Sequence, residues 1–533
     1  MRVAGNSFSR LKDSLPGRGD LLGARWAIVG LILLFVFLRW NNFNAPLIRD
    51  EGEYKYAAQL LKQGVAPYDH AFLQKPPNVI YSYLVAEWIA PGVFWAPRVL
   101  ACLFLAAATL LLGWIARLEF GPGHAMPTMA IVTPMLLLPG VEQFTANTEM
   151  FLLLPLLATV TVYCYGRKNG HRPLHWFLAG FLAATTFLYK YSILPVLALL
   201  FVVWCFEAWR SLKNAGDLAV RVGMVLAGAI LAVSLELGFF LIHDGGRTLW
   251  DCTVAFNRDY LASGWFNLSN LAARLMFLGI AWWCLVLLTI GAIFKFSWRT
   301  MFWIGLLACT VAATGASLFG HYYLTMMPFW ALLAVRGIHQ WANVLARFTK
   351  SPIVQPVLVG ITIFFLLLPD LPLLTLAPKT FAANKCGRTV FLESPLVARR
   401  ISEMTAPEDL VWVAASEPQI LAYAHRKSPT RFITVFALTI PNAHMANYQD
   451  EVIREVKTHP PKLIVWTPSW LQETPQPSPC LLFLNETLKT GYERVGGYVL
   501  EGEKSRWTEP LTDDDARASS IIVYRRKPDS RPR

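Results

Sequence analysis

The sequence Arg49-Asp50-Glu51-Gly52-Glu53-Tyr54 follows the first apolar run of the chain, and Gln74-Lys75-Pro76-Pro77-Asn78 comes soon after it. Adjacent carboxylates just beyond a membrane helix suit a general base, because a partly desolvated carboxylate can take a proton from a hydroxyl. Asp50 and Glu51 are the candidates, a solvated loop pair or a helix start being the plainer alternative. Lys75, held by two prolines, is a rigidly placed point charge suited to a phosphate.

Three further segments carry comparable signals. Thr145-Ala146-Asn147-Thr148-Glu149 stands directly before an apolar run. An ionisable group at that depth is costly and therefore suggests function, although Asn147 or Thr148 could simply cap a helix with Glu149 in its first turn. Lys190, in Tyr189-Lys190-Tyr191, lies between two apolar runs, where its ammonium could pair with an anionic headgroup or snorkel to the interface. In Phe319-Gly320-His321-Tyr322-Tyr323 the imidazole and hydroxyls could contact phosphate or sugar, and an aromatic belt would also explain the tyrosines.

The elements that must position these residues follow from composition. Of 533 residues, 55% are hydrophobic and only 16% are charged, too little polar surface to cover a soluble protein. Mean hydropathy is +0.41. The chain is a polytopic α-helical membrane protein, and intrinsic disorder and a disulfide-dense scaffold are excluded. The net charge of +13 sits mainly in short loops between apolar runs, so it orients the protein in a membrane and does not call for nucleic acid. At about 20 apolar residues per crossing, roughly eleven spans are expected and thirteen are possible. They begin at Trp26–Leu38, a retained anchor and not a cleaved signal, and end at Ile353–Leu368. With the N-terminus in the cytoplasm, Arg117, Arg167, Arg210, Arg299 and Arg347 share one side, and the six candidates Asp50, Glu51, Lys75, Glu149, Lys190 and His321 share the other. Asn78–Pro91 is too short to cross easily and is expected to be interfacial or re-entrant.

Residues 1–376 then form the membrane domain, with a catalytic first outer loop at 41–94, and residues 377–533 form an extracytoplasmic α/β domain. Its strands are expected around Asp409–Ala414, Arg431–Val435 and Lys462–Trp466, with a helix at Tyr448–Lys457 and a frayed basic tail from Arg526 to Arg533. Cys386 and Cys480 share this domain and are open to pairing if it faces an oxidising compartment. The other cysteines are read as core residues.

Asp50-Glu51, the helix with Tyr54 and Ala57, Lys75-Pro76-Pro77, Pro97-Arg98, Asn147-Thr148-Glu149 and Thr186–Lys190 together resemble the bacterial GT-C glycosyltransferases. The likeness is to the dolichyl-phosphate-mannose protein mannosyltransferases and the lipid A aminoarabinose transferase. It runs over about residues 26–210, with Gly320–Pro328 as weaker support, and Asn78 stands where relatives usually carry leucine. The resemblance implies Asp50 and Glu149 as catalytic carboxylates and Lys75 and Lys190 as ligands of a donor phosphate, with Glu51 and Arg98 as added candidates for those two roles. Tyr54, His321, Tyr322 and Tyr323 would contact substrate. The expected activity is inverting transfer of one sugar from a polyprenyl-phosphate donor to an envelope acceptor, on the outer face of a bacterial inner membrane. Membrane lipids are the other partners, and no cofactor is called for beyond a divalent cation whose need is left open. A flippase of a lipid-linked sugar, or a structural assembly partner, would be the rival readings; a flippase would need ionisable groups near the bilayer midplane.

Overall fold

The computed structural model describes residues 18–141, 144–211, 214–243, 245–262, 268–315, 319–349, 351, 353–386, 390–468, 478–501 and 504–528. Most of the expected apolar runs fall on helices. In chain order these are α1 (Arg18–Arg39), α2 (Arg49–Lys62), α3 (Asn78–Ile89), α4 (Ala96–Phe120), α5 (Ala125–Leu137), α6 (Thr148–Lys168), α7 (Pro173–Phe187), α8 (Leu194–Ser211) and α9 (Ala215–Ile242). The helices α2 and α3 lie outside that set, in the first loop. Further on come Leu268–Ala281 and Trp283–Gly291, bent by 89° at their junction, then Trp298–Ala312, Met327–Thr349 and Val354–Leu367.

Among the described residues, four helices are long and apolar enough to cross a membrane, or five if the bent pair counts as one span. The protein is thus a multi-pass membrane protein. Asn78–Pro91 is the twelve-residue α3, too short by length for a crossing. The crossing of α7 and α9 is close because it is made by glycine: a Cβ on Gly180 would meet Val225 O at 2.1 Å, and one on Gly228 would meet Phe177 O at the same distance.

The C-terminal region carries a five-stranded sheet of order β1-β2-β5-β3-β4, formed by β1 (Val411–Ala414), β2 (Leu463–Trp466), β3 (Tyr492–Glu501), β4 (Lys504–Thr508) and β5 (Ser519–Arg526). Only β1 and β2 run parallel, with Val413 opposite Val465, and the other pairs are antiparallel. Both are buried along their whole length, which explains their unbroken apolar sequences. The expected helix is present as Met445–Thr458.

Arg431–Val435 is not a strand. Its Arg431 carbonyl accepts from Phe72 N at 2.6 Å, and its guanidinium binds Asp251 and Glu451, so the segment is held by these contacts and not by a sheet neighbour. Arg526 belongs to β5 and not to a tail, and residues 529–533 lie outside the described ones, as do the first 17. Cys480 is a buried free thiol, and the side chain of Cys386 lies outside the described residues.

Candidate active site

Helix α2 determines which carboxylates face which way. The helix starts at Arg49, so residues 50 and 51 point about 100° apart and residues 50 and 53 share a face. Asp50 and Glu53 line a cavity of about 390 Å³, together with Arg49, Lys75, His321 and Tyr322. Its apolar wall includes Phe72, Phe144, Tyr260, Phe319, Phe391 and Phe436, the last two supplied by the C-terminal region along with Lys385 and Thr434.

Glu51 goes the other way. It is fully buried, and its carboxylate accepts from Arg98 Nε at 2.8 Å, Arg98 Nη2 at 2.5 Å and Ala146 N at 2.9 Å. It also reaches the Ile48 N–H at the start of α2, one half of a capping box. Arg98 donates in addition to the carbonyls of Asn42, Phe43, Ala45 and Pro46, so its guanidinium ties the α1–α2 linker together. The structure does not bring this pair to the cavity. Tyr54, 3.3 Å from Thr148 Oγ1, and Tyr323 are both buried away from its wall.

The cationic half of the site is assembled from three turns. Lys75 Nζ donates to Tyr322 Oη at 3.3 Å. Lys190 Nζ lies 3.2 Å from the centroid of the Tyr322 ring and donates to Glu149 Oε1 at 2.5 Å. Tyr322 therefore stands between the two ammonium groups, favourable to both through its ring face and hydroxyl. His321 Nε2 is 4.0 Å from Asp50 Oδ2. The structure thus brings together Asp50, Lys75, Glu149, Lys190, His321 and Tyr322, and leaves Glu51, Arg98, Tyr54 and Tyr323 in the surrounding scaffold.

Burial works against the Lys75 charge, but Tyr322, Asp50 and Glu149 outweigh it and hold its pKa above the ordinary lysine value. For Glu53, burial and the neighbouring Asp50 push the carboxyl up to about 8, against Lys75 and Arg49. Glu53 is the cavity residue that adjacency in the sequence hides. The i, i+3 spacing from Asp50, applied to a helix beginning at Arg49, finds it.

The C-terminal region grips this helix. A Cβ on Gly52 would meet Gln419 N at 2.4 Å, so α2 and helix Pro418–Ala424 touch backbone to backbone. Arg49 Nε donates to Ser416 O at 2.8 Å, Tyr423 Oη accepts from Leu47 N at 2.8 Å, and Tyr56 Oη accepts from Ser428 N at 3.0 Å. Among the described residues no group of three or more His, Cys, Asp or Glu converges as a metal-ligand set.

This combination of helices, first loop and sheet domain is a fold shared with solved structures of ArnT. The chain superimposes on ArnT from Cupriavidus metallidurans in the apo state with a TM-score of 0.57 at 12% identity, covering 94% of this chain and 98% of that one. For the same protein bound to undecaprenyl phosphate the TM-score is 0.58 at 14% identity, covering 94% and 97%. The archaeal oligosaccharyltransferase AglB from Archaeoglobus fulgidus, in complex with an inhibitory peptide and a dolichol-phosphate, aligns at 0.49 and 12%, covering 91% and 74%. No protein-family model matches the chain, and no curated protein sequence matches it significantly.

Proposed function

We propose that the protein transfers a single sugar from a polyprenyl-phosphate donor to an acceptor at the outer face of a bacterial cytoplasmic membrane, with inversion at the anomeric carbon. The observation that carries this reading is the placement of Asp50, Lys75 and the Tyr322 ring in one cavity, with Lys190 behind that ring. ArnT, whose fold the chain shares, has been captured with undecaprenyl phosphate.

In this reading Lys75 and Lys190 hold the donor phosphate. As the anomeric C–O bond breaks, its electron pair passes to the phosphate, and the growing charge is met by ammonium groups already in place. The acceptor hydroxyl attacks from the opposite side and gives its proton to Asp50. Glu149, held by Lys190, orients that lysine and is the weaker candidate for the base. The aromatic wall of the cavity gives the apolar faces of a sugar ring a surface to stack on. A phosphate acceptor would arrive ionised and need no base.

The test is transfer by purified protein from a synthetic polyprenyl-phosphate sugar, paired with mass analysis of envelope lipids and glycoproteins from cells with and without the protein. Absence of any sugar difference in both would overturn the reading. The outer placement, with about eleven spans, predicts that a reporter active only outside works when fused after Arg533. A silent outer reporter with an active cytoplasmic one at that position would invert the topology.

A further inference from the structure

Helix α9 carries a carboxylate, Glu236, in an otherwise apolar span of which only 17% is buried inside the protein. An ionisable side chain in such a helix is expensive unless it is held. Here it is held twice: Glu236 Oε2 accepts from Asn78 Nδ2 at 2.8 Å and Oε1 accepts from Thr185 Oγ1 at 2.6 Å. The Glu236 carbonyl also accepts from Tyr81 Oη at 2.8 Å.

Asn78 directly follows Lys75-Pro76-Pro77 and opens α3. Its backbone N–H donates to Leu188 O at 3.2 Å, and the same Nδ2 that meets Glu236 donates to Thr185 O at 2.9 Å. Both carbonyls belong to the end of α7, the segment that delivers Lys190 two residues beyond Leu188. One amide therefore fastens the turn bearing Lys75 to the turn bearing Lys190. Glu236 fixes the direction of that amide. The other side of the Lys75 turn is tied by Tyr68 Oη to Lys75 O at 2.7 Å and by Asn257 Nδ2 to Gln74 O at 2.7 Å.

We infer that Asn78 and Glu236 are positioning residues that set the separation of Lys75 and Lys190, and with it the affinity for the donor phosphate. This rests on the reading that those two lysines bind the phosphate.

The experiment measures equilibrium binding of undecaprenyl phosphate to the purified full-length protein, with melting temperature recorded for every variant. Lys75→Met and Lys190→Met test the underlying reading and should each weaken binding about ten-fold or more. The double variant Asn78→Leu with Glu236→Leu removes both partners of their bond, so neither is left stranded, and the freed Thr185 hydroxyl can turn back to the carbonyl four residues earlier in its own helix. It should melt at or above the parent temperature and yet bind about five- to ten-fold more weakly, a separation that a purely structural role would not produce. Parent-like affinity in that variant, with both lysine variants weakened, overturns the inference and leaves the phosphate site standing. Parent-like affinity in both lysine variants removes the phosphate site and the inference with it. Should the double variant fail to fold, Asn78→Ser removes the bridging amide alone: about five-fold weaker binding at unchanged melting temperature supports the inference, and parent-like binding overturns it.

Discussion

Helix α6 carries a charged cluster near each end, and the two clusters pair carboxylates with cations to opposite effect. At one end Glu149 meets Lys190, with Lys75, Asp50 and His321 nearby around an open cavity. At the other, roughly 27 Å away by helix rise, Arg167 donates to Glu119 at 2.5 Å, Arg299 binds Glu119 as well, and Arg299 Nη1 also reaches Glu207 at 2.9 Å and Tyr163 Oη at 2.8 Å. In that second cluster Glu119 is 1% exposed and takes both arginines, so the charges close on one another. In the first, the Asp50 side chain is 32% exposed and faces a volume that could hold a reacting group. Charge in a membrane protein therefore does not mark a site by itself; charge left facing a cavity does.

The largest expected effect is at Asp50. Asp50→Asn keeps the size and removes the base, and transfer rates measured with purified protein should fall by about 10²- to 10⁴-fold with little change in melting temperature. Parent-like transfer by a folded Asp50→Asn protein would move the role to Glu149 or leave an acceptor that needs no base. The opposite pattern is expected at the far end of α6. Arg299→Met strands Glu119 with one fewer partner, and loss of one member of a buried pair costs about 3–5 kcal/mol of stability. Thermal melting should show that loss, while the activity of whatever protein remains folded stays near the parent's. Reversal of the two patterns would break the distinction between the clusters.

Lys75→Met sharpens the comparison from the cationic side. It should slow sugar release by about 10²-fold and weaken donor binding together, because the opposing charge grows toward the transition state. Lys75→Arg should recover only part of this, a planar fork being a poor replacement for a compact ammonium. Initial rates at varied donor concentration separate the two effects.

These outcomes also measure what the sequence could carry. Most apolar runs translated directly into helices because hydropathy acts locally, and the nearness of Lys75, Lys190 and Asp50 was legible because membrane loops are short and flank the spans they serve. Glu51 was misdirecting: adjacency in sequence suggested a carboxylate pair, but a helix beginning at Arg49 separates neighbours and unites Asp50 with Glu53. Arg98 entered only through the resemblance, as a phosphate ligand, and the fold shows that it points at Glu51 and the 42–46 linker. In the sheet domain, β3 was hidden because Gly496-Gly497 interrupts its alternation at a register shift, and β4 and β5 gain their pairing from it. Arg431–Val435 had strand composition, and one of the ion pairs that hold Arg431 comes from Asp251, 180 positions away in sequence.

The smallest expected effect concerns Glu53, where the cavity imposes its environment on a second carboxyl. Burial and Asp50 raise its pKa from 4.5 to about 8, so between those values the folded protein holds a proton that the unfolded chain releases. The sign follows from linkage: the contribution of Glu53 to stability is fully present below about pH 4.5, declines as pH rises, and is lost above about 8. Glu53→Gln cannot ionise, so its melting temperature should fall less steeply than the parent's across that window. The difference should be small, at most about 4 °C in a chain of this size. Asp50→Asn offers an independent check, because removing the neighbouring charge removes one cause of the shift and should flatten the same slope without touching Glu53 itself. Parallel parent and Glu53→Gln curves from pH 4.5 to 8 would mean that Glu53 ionises in the folded protein as it does in the unfolded chain, and that the cavity face of α2 carries two independent charges and not one carboxylate beside a carboxylic acid.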